Sequence, residues 1–202
     1  MRRIALAAGL LSACLVGTGD ETRLWGQGDA KDYNDGVAAS PAALRNGTAT
    51  LEQVQEVLGV NDDTIHGEPV WELDEEADVD LDGVKDLVIT NHTIEMVGGR
   101  YHSVFLKTAK GFRYVGGFEG EMRTLPVEKG KPARLIVSAT TETEAMAVEL
   151  AELQAGGLHR LARVEMKTAG CEAKDNPLYQ ELVCGDKAVS AETLKKAFPS
   201  LG

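Results

Sequence analysis

Between Pro69 and Val164 the chain breaks into short apolar runs at 70–73, 86–91, 101–107, 112–118, 122–127, 134–139, 147–153 and 158–164. Turn signals separate most of them: Gly98-Gly99, Lys110-Gly111, Glu119-Gly120, Lys129-Gly130 and Gly156-Gly157. Runs this short and rich in Val, Leu and Ile fit strands, and connections this brief allow hairpins but not helical crossovers. The expected fold is therefore mainly β, an antiparallel meander that forms one or two propeller-like blades or a small sandwich. Residues 145–153 are an ambiguous run, because Ala, Met, Glu and Leu also favour helix. The Gly156-Gly157 turn between two apolar runs decides for a hairpin.

Short helices are expected on both flanks. Ser40-Pro41 supplies a cap and a first-turn proline for a helix ending near Asn46-Gly47. Thr50 with Gln53 forms a capping-box pattern ahead of Leu51, Val54, Val57 and Leu58, and Gly59 stops that helix. At the other end Ser190 caps a closing helix, with Leu194, Ala197 and Phe198 on its apolar side and Lys195 and Lys196 near its end. The organisation that follows is a leader at 1–13, a tether at 14–40, a helical segment at 41–69, a β domain at 70–166, and a disulfide loop with a closing helix at 167–202.

A length of 202 residues suits one sizeable core, and 43% hydrophobic content excludes wholesale disorder. The formal charge of −11 repels nucleic acid and anionic headgroups and favours cations or basic partners. No basic stripe interleaved with aromatics occurs, so a nucleic-acid partner is not expected. Three cysteines leave one to explain. Cys171 and Cys184 bound a polar loop, and a disulfide between them would contribute roughly 3 kcal/mol in the chain-entropy model.

Cys14 follows Met1-Arg2-Arg3 and an apolar stretch from Ile4 to Ala13, too short to span a bilayer but suited to a signal peptide. Leu11-Ser12-Ala13-Cys14 resembles the lipobox of bacterial lipoproteins. The resemblance implies cleavage before Cys14, lipidation of that residue, and attachment to the cell envelope through several acyl chains. Leu15, where an inner-membrane retention signal often has Asp, leans towards the outer membrane. An ordinary secretory signal cut near Gly17 or Gly19 is the alternative. Loss of the leader would make the chain two charges more negative, since Arg2 and Arg3 go with it. The tether is rich in Gly, Asp and Ala; Trp25 and Tyr33 are aromatic guests there, expected to dock on the folded body, while 32–36 is expected to be a solvated loop.

One stretch carries recognisable chemistry. Asp78-Val79-Asp80-Leu81-Asp82-Gly83-Val84-Lys85-Asp86 sets carboxylates at alternate positions before a strand. Calcium is a hard cation that takes six to eight oxygens, and alternate residues of a tight loop can converge on one ion. Gly83 permits the sharp turn that would offer the Val84 carbonyl. Ile89 stands where an EF-hand needs its bidentate Glu, and strand formers follow, so the loop is not an EF-hand. It resembles the Asp-x-Asp-x-Asp-Gly-x-x-Asp-Leu loops of the FG-GAP/VCBS family. That resemblance implies Ca2+ held by Asp78, Asp80, Asp82 and Asp86 with the Val84 backbone, and an ion that stiffens a β-sheet. The motif occurs once, whereas a propeller needs at least four blades.

Catalytic signatures are missing from the sequence. His66, His92, His102 and His159 lack metal-site spacing, and no nucleophile elbow, Walker loop or dinucleotide fingerprint occurs. His92 and His102 flank a hairpin turn and could approach one another; Glu119 and Glu121 bracket Gly120 in what reads as a solvated turn. The expected function is a non-enzymatic envelope lipoprotein that binds a protein or glycan partner. The alternative is an envelope hydrolase or inhibitor-like factor with His92 or His102 at a cleft near the loop, and a third possibility is a spacer within a larger envelope complex.

Overall fold

The computed structural model describes residues 33, 36–96, 99–126, 130–141, 145–167, 171, 176–185 and 188–201. The leader, Cys14, Trp25 and nearly all of the expected tether lie outside the described residues.

Ten strands are described. A small hairpin of β1 (Thr64–Ile65) and β2 (Glu68–Pro69) precedes two four-stranded antiparallel sheets. Sheet I runs β3 (Trp71–Asp74), β4 (Leu87–Met96), β5 (Gly99–Thr108) and β6 (Gly111–Glu119) in sequence order. Sheet II runs β7 (Glu121–Leu125), β8 (Arg134–Thr140), β9 (Met146–Gln154) and β10 (Gly157–Met166), again in sequence order. Every neighbouring pair is a hairpin except β6 and β7, where the chain leaves one sheet for the other at Gly120. The expected meander is thus a meander folded once into a sandwich. Residues 145–153 contribute to a strand, as their Gly-Gly turn requires. The β1–β2 hairpin was not foreseen; His66 and Gly67 both take positive φ (53° and 87°) at its turn.

Side chains alternate across a strand, so each sheet has two faces to cover. The inner faces meet in one core, with Val88, Val104, Leu106, Val115 and Phe118 from sheet I against Leu135, Val137, Ala151 and Leu158 from sheet II. Outside sheet I, helices α1 (Ala42–Asn46) and α2 (Leu51–Leu58) lay Leu44, Val54 and Leu58 over Leu87, Ile89, Phe105 and Tyr114. Helix α2 carries the expected capping box, with Thr50 Oγ1 accepting from Gln53 N and Gln53 Oε1 from Thr50 N.

Outside sheet II, a C-terminal helical layer covers Ile136, Val148 and Leu150 with Tyr179, Leu182, Ala197 and Phe198. It comprises α3 (Pro177–Tyr179), a π-helical turn (Gln180–Cys184) and α4 (Ala191–Ala197). The segment between the cysteines is therefore not simply the polar loop expected. Asn176 caps α3 by accepting from Tyr179 N, Pro177 begins it, and burial of Tyr179 and Leu182 holds the turns against the sheet. The Cys171–Cys184 disulfide ties this layer to the end of β10.

Candidate metal centre

The loop between β3 and β4 is shaped by its own carboxylates. Asp86 sits at the mouth of β4, 3% exposed. Its backbone N–H donates to Ala77 O at 2.7 Å and closes the neck of the loop. Its Oδ2 accepts from Val79 N at 2.8 Å, and its Oδ1 from Lys107 N on β5, also at 2.8 Å. One carboxylate thus joins the loop to two strands of sheet I. Val79, 1% exposed, is driven into the inter-sheet core and anchors the other limb.

The tip turns on side chain to backbone bonds. Asp80 Oδ1 accepts from Asp82 N at 3.2 Å, and Asp82 Oδ1 from Val84 N at 2.7 Å. Such bonds let a short acid imitate a backbone turn. Leu81 and Gly83 take positive φ, 57° and 87°. Glycine adopts that region freely, whereas leucine does so only where its surroundings impose it.

The result brings three of the expected ligands together. Carboxylate oxygens of Asp78, Asp80 and Asp86 all lie within 4.8 Å of one another, so the group could hold a metal ion. Asp82 stands outside this trio, engaged with Val84 N. Asp78 Oδ2 accepts from Gly83 N at 3.1 Å, while its Oδ1 is sealed from solvent with no hydrogen-bond partner. A buried acceptor left unsatisfied is costly, and a cation bound between these acids would satisfy it. Lys85 does not neutralise the group by this route: its ammonium donates to Glu76 O.

Electrostatics agree with the geometry. Burial raises the carboxyl of Asp80 above its usual range, and the charges of Asp82 and Asp78 push it further. Burial also raises Asp86, against the opposing pull of the Lys107 and Val79 N–H groups. Raised folded-state values mean that the metal-free fold binds protons more tightly than the unfolded chain. That contribution is complete below the unfolded value of about 3.8 and is lost as pH rises through the raised values. Melting in EDTA should therefore show these acids stabilising the fold on acidification. With a bound cation the sign reverses, because protons displace the ion. Melting temperatures from pH 4 to 7, with and without metal, check this: the two curves should converge at the acid end.

His92 and His102 border the same cross-strand row of sheet I, Glu72, Thr90 and His102, but bond to different partners. His92 Nε2 meets Glu72 at 3.1 Å, whereas His102 Nδ1 meets Thr90 Oγ1 at 2.8 Å and its ring stacks on Phe118. Burial lowers the His102 pKa below its ordinary 6.5. Glu119 and Glu121 fall in different sheets either side of Gly120.

A second charged group escaped the sequence reading. Glu149, on the inner face of β9, pairs with Arg160 and Arg163 of β10 and with Tyr33. Its signal was present: an acid inside the apolar run Ala147-Val148-Glu149-Leu150-Ala151. Tyr33 itself docks on the folded body as expected of it, against the inter-sheet core, and so is not part of a solvated loop.

Compared with known proteins, the chain matches no family model, no curated protein and no solved structure. The expected resemblance of the Asp78–Asp86 loop to the FG-GAP/VCBS family gains no support from these comparisons.

Proposed function

We propose that this chain is a cell-envelope lipoprotein, anchored through Cys14, whose β-sandwich binds one Ca2+ and serves as a non-enzymatic binding or structural module. The observation that carries the calcium reading is the sealed, partnerless Oδ1 of Asp78 beside Asp80 and Asp86. A donor set made only of carboxylate oxygens suits a hard cation rather than zinc or copper, and an irregular loop suits the variable geometry of Ca2+ better than the strict octahedron of Mg2+. Asp82 and the Val84 carbonyl would complete the shell with water. The ion would offset the repulsion of the acids and lock the entry to β4, which is a structural role.

The contact surface fits the same place. Leu81 and Val84, 43% and 45% exposed, are the exposed large hydrophobics among the described residues, and both crown this loop. A protein or glycan partner in the envelope would meet them beside the ion. Surface apolar groups gathered at one loop mark interaction sites more often than scattered ones do.

Calorimetric titration with Ca2+ of the chain without residues 1–13 and with Cys14→Ser tests the metal reading. It should show about one equivalent bound, absent in the Asp80→Ala/Asp82→Ala variant. At a hundredfold excess over Kd the ion adds about 2.7 kcal/mol, worth roughly 5–10 °C in melting temperature for a chain this size. Neither heat nor shift would reduce the loop to an acidic turn. Labelling of the full chain with palmitate in a bacterial host, lost on Cys14→Ser, tests the anchor separately.

A further inference from the structure

Away from the aspartate loop, the inner face of sheet II holds a charge where hydrocarbon would be expected. Glu149 is 6% exposed and lies in register between Val137 of β8 and Arg163 of β10. Its carboxylate accepts from Arg160 Nε at 2.7 Å and from Arg163 Nη1 at 3.0 Å. The phenol of Tyr33, 116 residues earlier, donates to the same carboxylate. The Tyr33 ring meets Phe118 edge-on with centroids 6.3 Å apart, and the Arg160 guanidinium lies 5.1 Å from the ring centre. The Tyr33 carbonyl accepts from Gly117 N at 3.0 Å. Gly117 and Phe118 belong to sheet I, Glu149 and Arg160 to sheet II, so one tyrosine is held by both sheets at once.

Two properties separate this contact from ordinary core packing. Glu149 has two guanidinium partners, so withdrawing the phenol costs its contacts with Glu149 and Arg160 but leaves the carboxylate and both guanidinium groups paired. In addition, β6 is the terminal strand of sheet I, and its Gly117 N–H faces away from β5. Once released, that donor meets water or the carbonyl of any extended segment laid along the edge. The phenol is well matched to its role: burial, and then the charge of Glu149, keep it protonated and donating.

We propose that the β6 edge, together with Glu149, Arg160 and Phe118, is a preformed receptor for a tyrosine on an extended peptide, and that Tyr33 is its releasable occupant in cis. A tyrosine-bearing segment of another protein takes the same place by adding a backbone bond to Gly117 and donating its phenol to Glu149. Tyrosine is selected over phenylalanine because a bare ring leaves the acceptor on Glu149 unused. None of this involves the metal loop, so it stands or falls independently of calcium.

The test uses the full chain with Tyr33→Ala, which vacates the slot, and a fluorescent peptide copying the sequence from Asp29 to Ala38. Anisotropy should show saturable binding to the variant and at least roughly tenfold weaker binding to the parent chain, where Tyr33 competes. The same peptide with phenylalanine for its tyrosine should bind the variant about tenfold more weakly, the worth of one hydrogen bond to a charged group. Equal binding to parent and variant overturns the proposal, as does no binding to a variant that keeps its β circular dichroism. Failure of Tyr33→Ala to fold also overturns it, since Tyr33 would then be core. Hydrogen exchange on the parent chain gives an answer without any variant. A releasable Tyr33 makes the Gly117 amide exchange faster than amides in the centre of β4 and β5; equal protection overturns the idea.

Discussion

Asp86→Ala is expected to abolish metal binding and to lower the melting temperature of the calcium-loaded chain by about 10–35 °C, the sum of two losses. The first is local. Val79 N and Lys107 N both donate to this carboxylate, at 2.8 Å each. Alanine leaves two donors without an acceptor, at about 1–3 kcal/mol apiece. The second is the ion, about 2.7 kcal/mol when the cation is in hundredfold excess. Asp86→Asn separates the two, because one amide oxygen still accepts while the charge is gone. In EDTA the asparagine variant should melt well above the alanine variant, and neither should respond to Ca2+. Differential scanning calorimetry of both variants with and without calcium makes the comparison. A calcium response kept by Asp86→Asn would remove Asp86 from the coordination shell.

Gly120→Ala should be the most damaging single-methyl change in the sandwich. Gly120 has φ +96°, and a Cβ built there would stand 2.1 Å from Ser138 O and 2.8 Å from Ser138 C. Both atoms are backbone of β8, held on either side by β7 and β9, so nothing flexible can give way. Left-handed strain adds about 1–2 kcal/mol, and forcing β8 aside brings the total to about 4 kcal/mol or more, the range of severe core mutations. Gly59→Ala is the control. It has φ +66° but nothing within 4 Å of an added methyl, so only the left-handed strain of about 1–2 kcal/mol applies. Urea midpoints should fall in that order at similar m-values. A Gly120→Ala chain as stable as Gly59→Ala would mean that the sheets are free to slide at this corner.

The placement of Gly120 shows how far sequence reasoning reaches. Glu119-Gly120 is recognisable as a turn, but the local residues look like those of any hairpin. What makes it a corner is the approach of Ser138, a residue from a strand far along the chain. The consecutive apolar triplets Leu87-Val88-Ile89, Val104-Phe105-Leu106 and Leu135-Ile136-Val137 carried a clue that alternation alone hides. A sheet with one wet face needs an apolar residue only at every second position. Triplets demand cover on both faces, which here comes from helices on one side and the opposing sheet on the other.

At the candidate metal centre the spacing of Asp78, Asp80 and Asp86 pointed to convergence, since that pattern is local and tied to a turn. The division of labour among the acids was not local. Asp86 is half a structural residue, because Lys107 on β5 reaches it across 21 positions of sequence. The Glu149 slot was less visible still: an acid in an apolar strand signals that a partner exists, but not which.

Local chemistry was therefore sufficient for the eight strands of the two sheets, the Thr50 and Ser190 caps, the antiparallel order and the acidic loop, because periodicity, capping and turn residues act within a few positions. It missed the β1–β2 hairpin and the helical turns before Cys184, and Ser40 donates to Val37 O instead of capping α1. The fold of the meander at Gly120, the helical cover on each sheet, the sealing of Asp78 Oδ1 and the seating of Tyr33 on Glu149 were decided only in tertiary structure. Each depends on atoms brought together from distant segments, where burial and excluded volume, rather than local propensity, set the outcome.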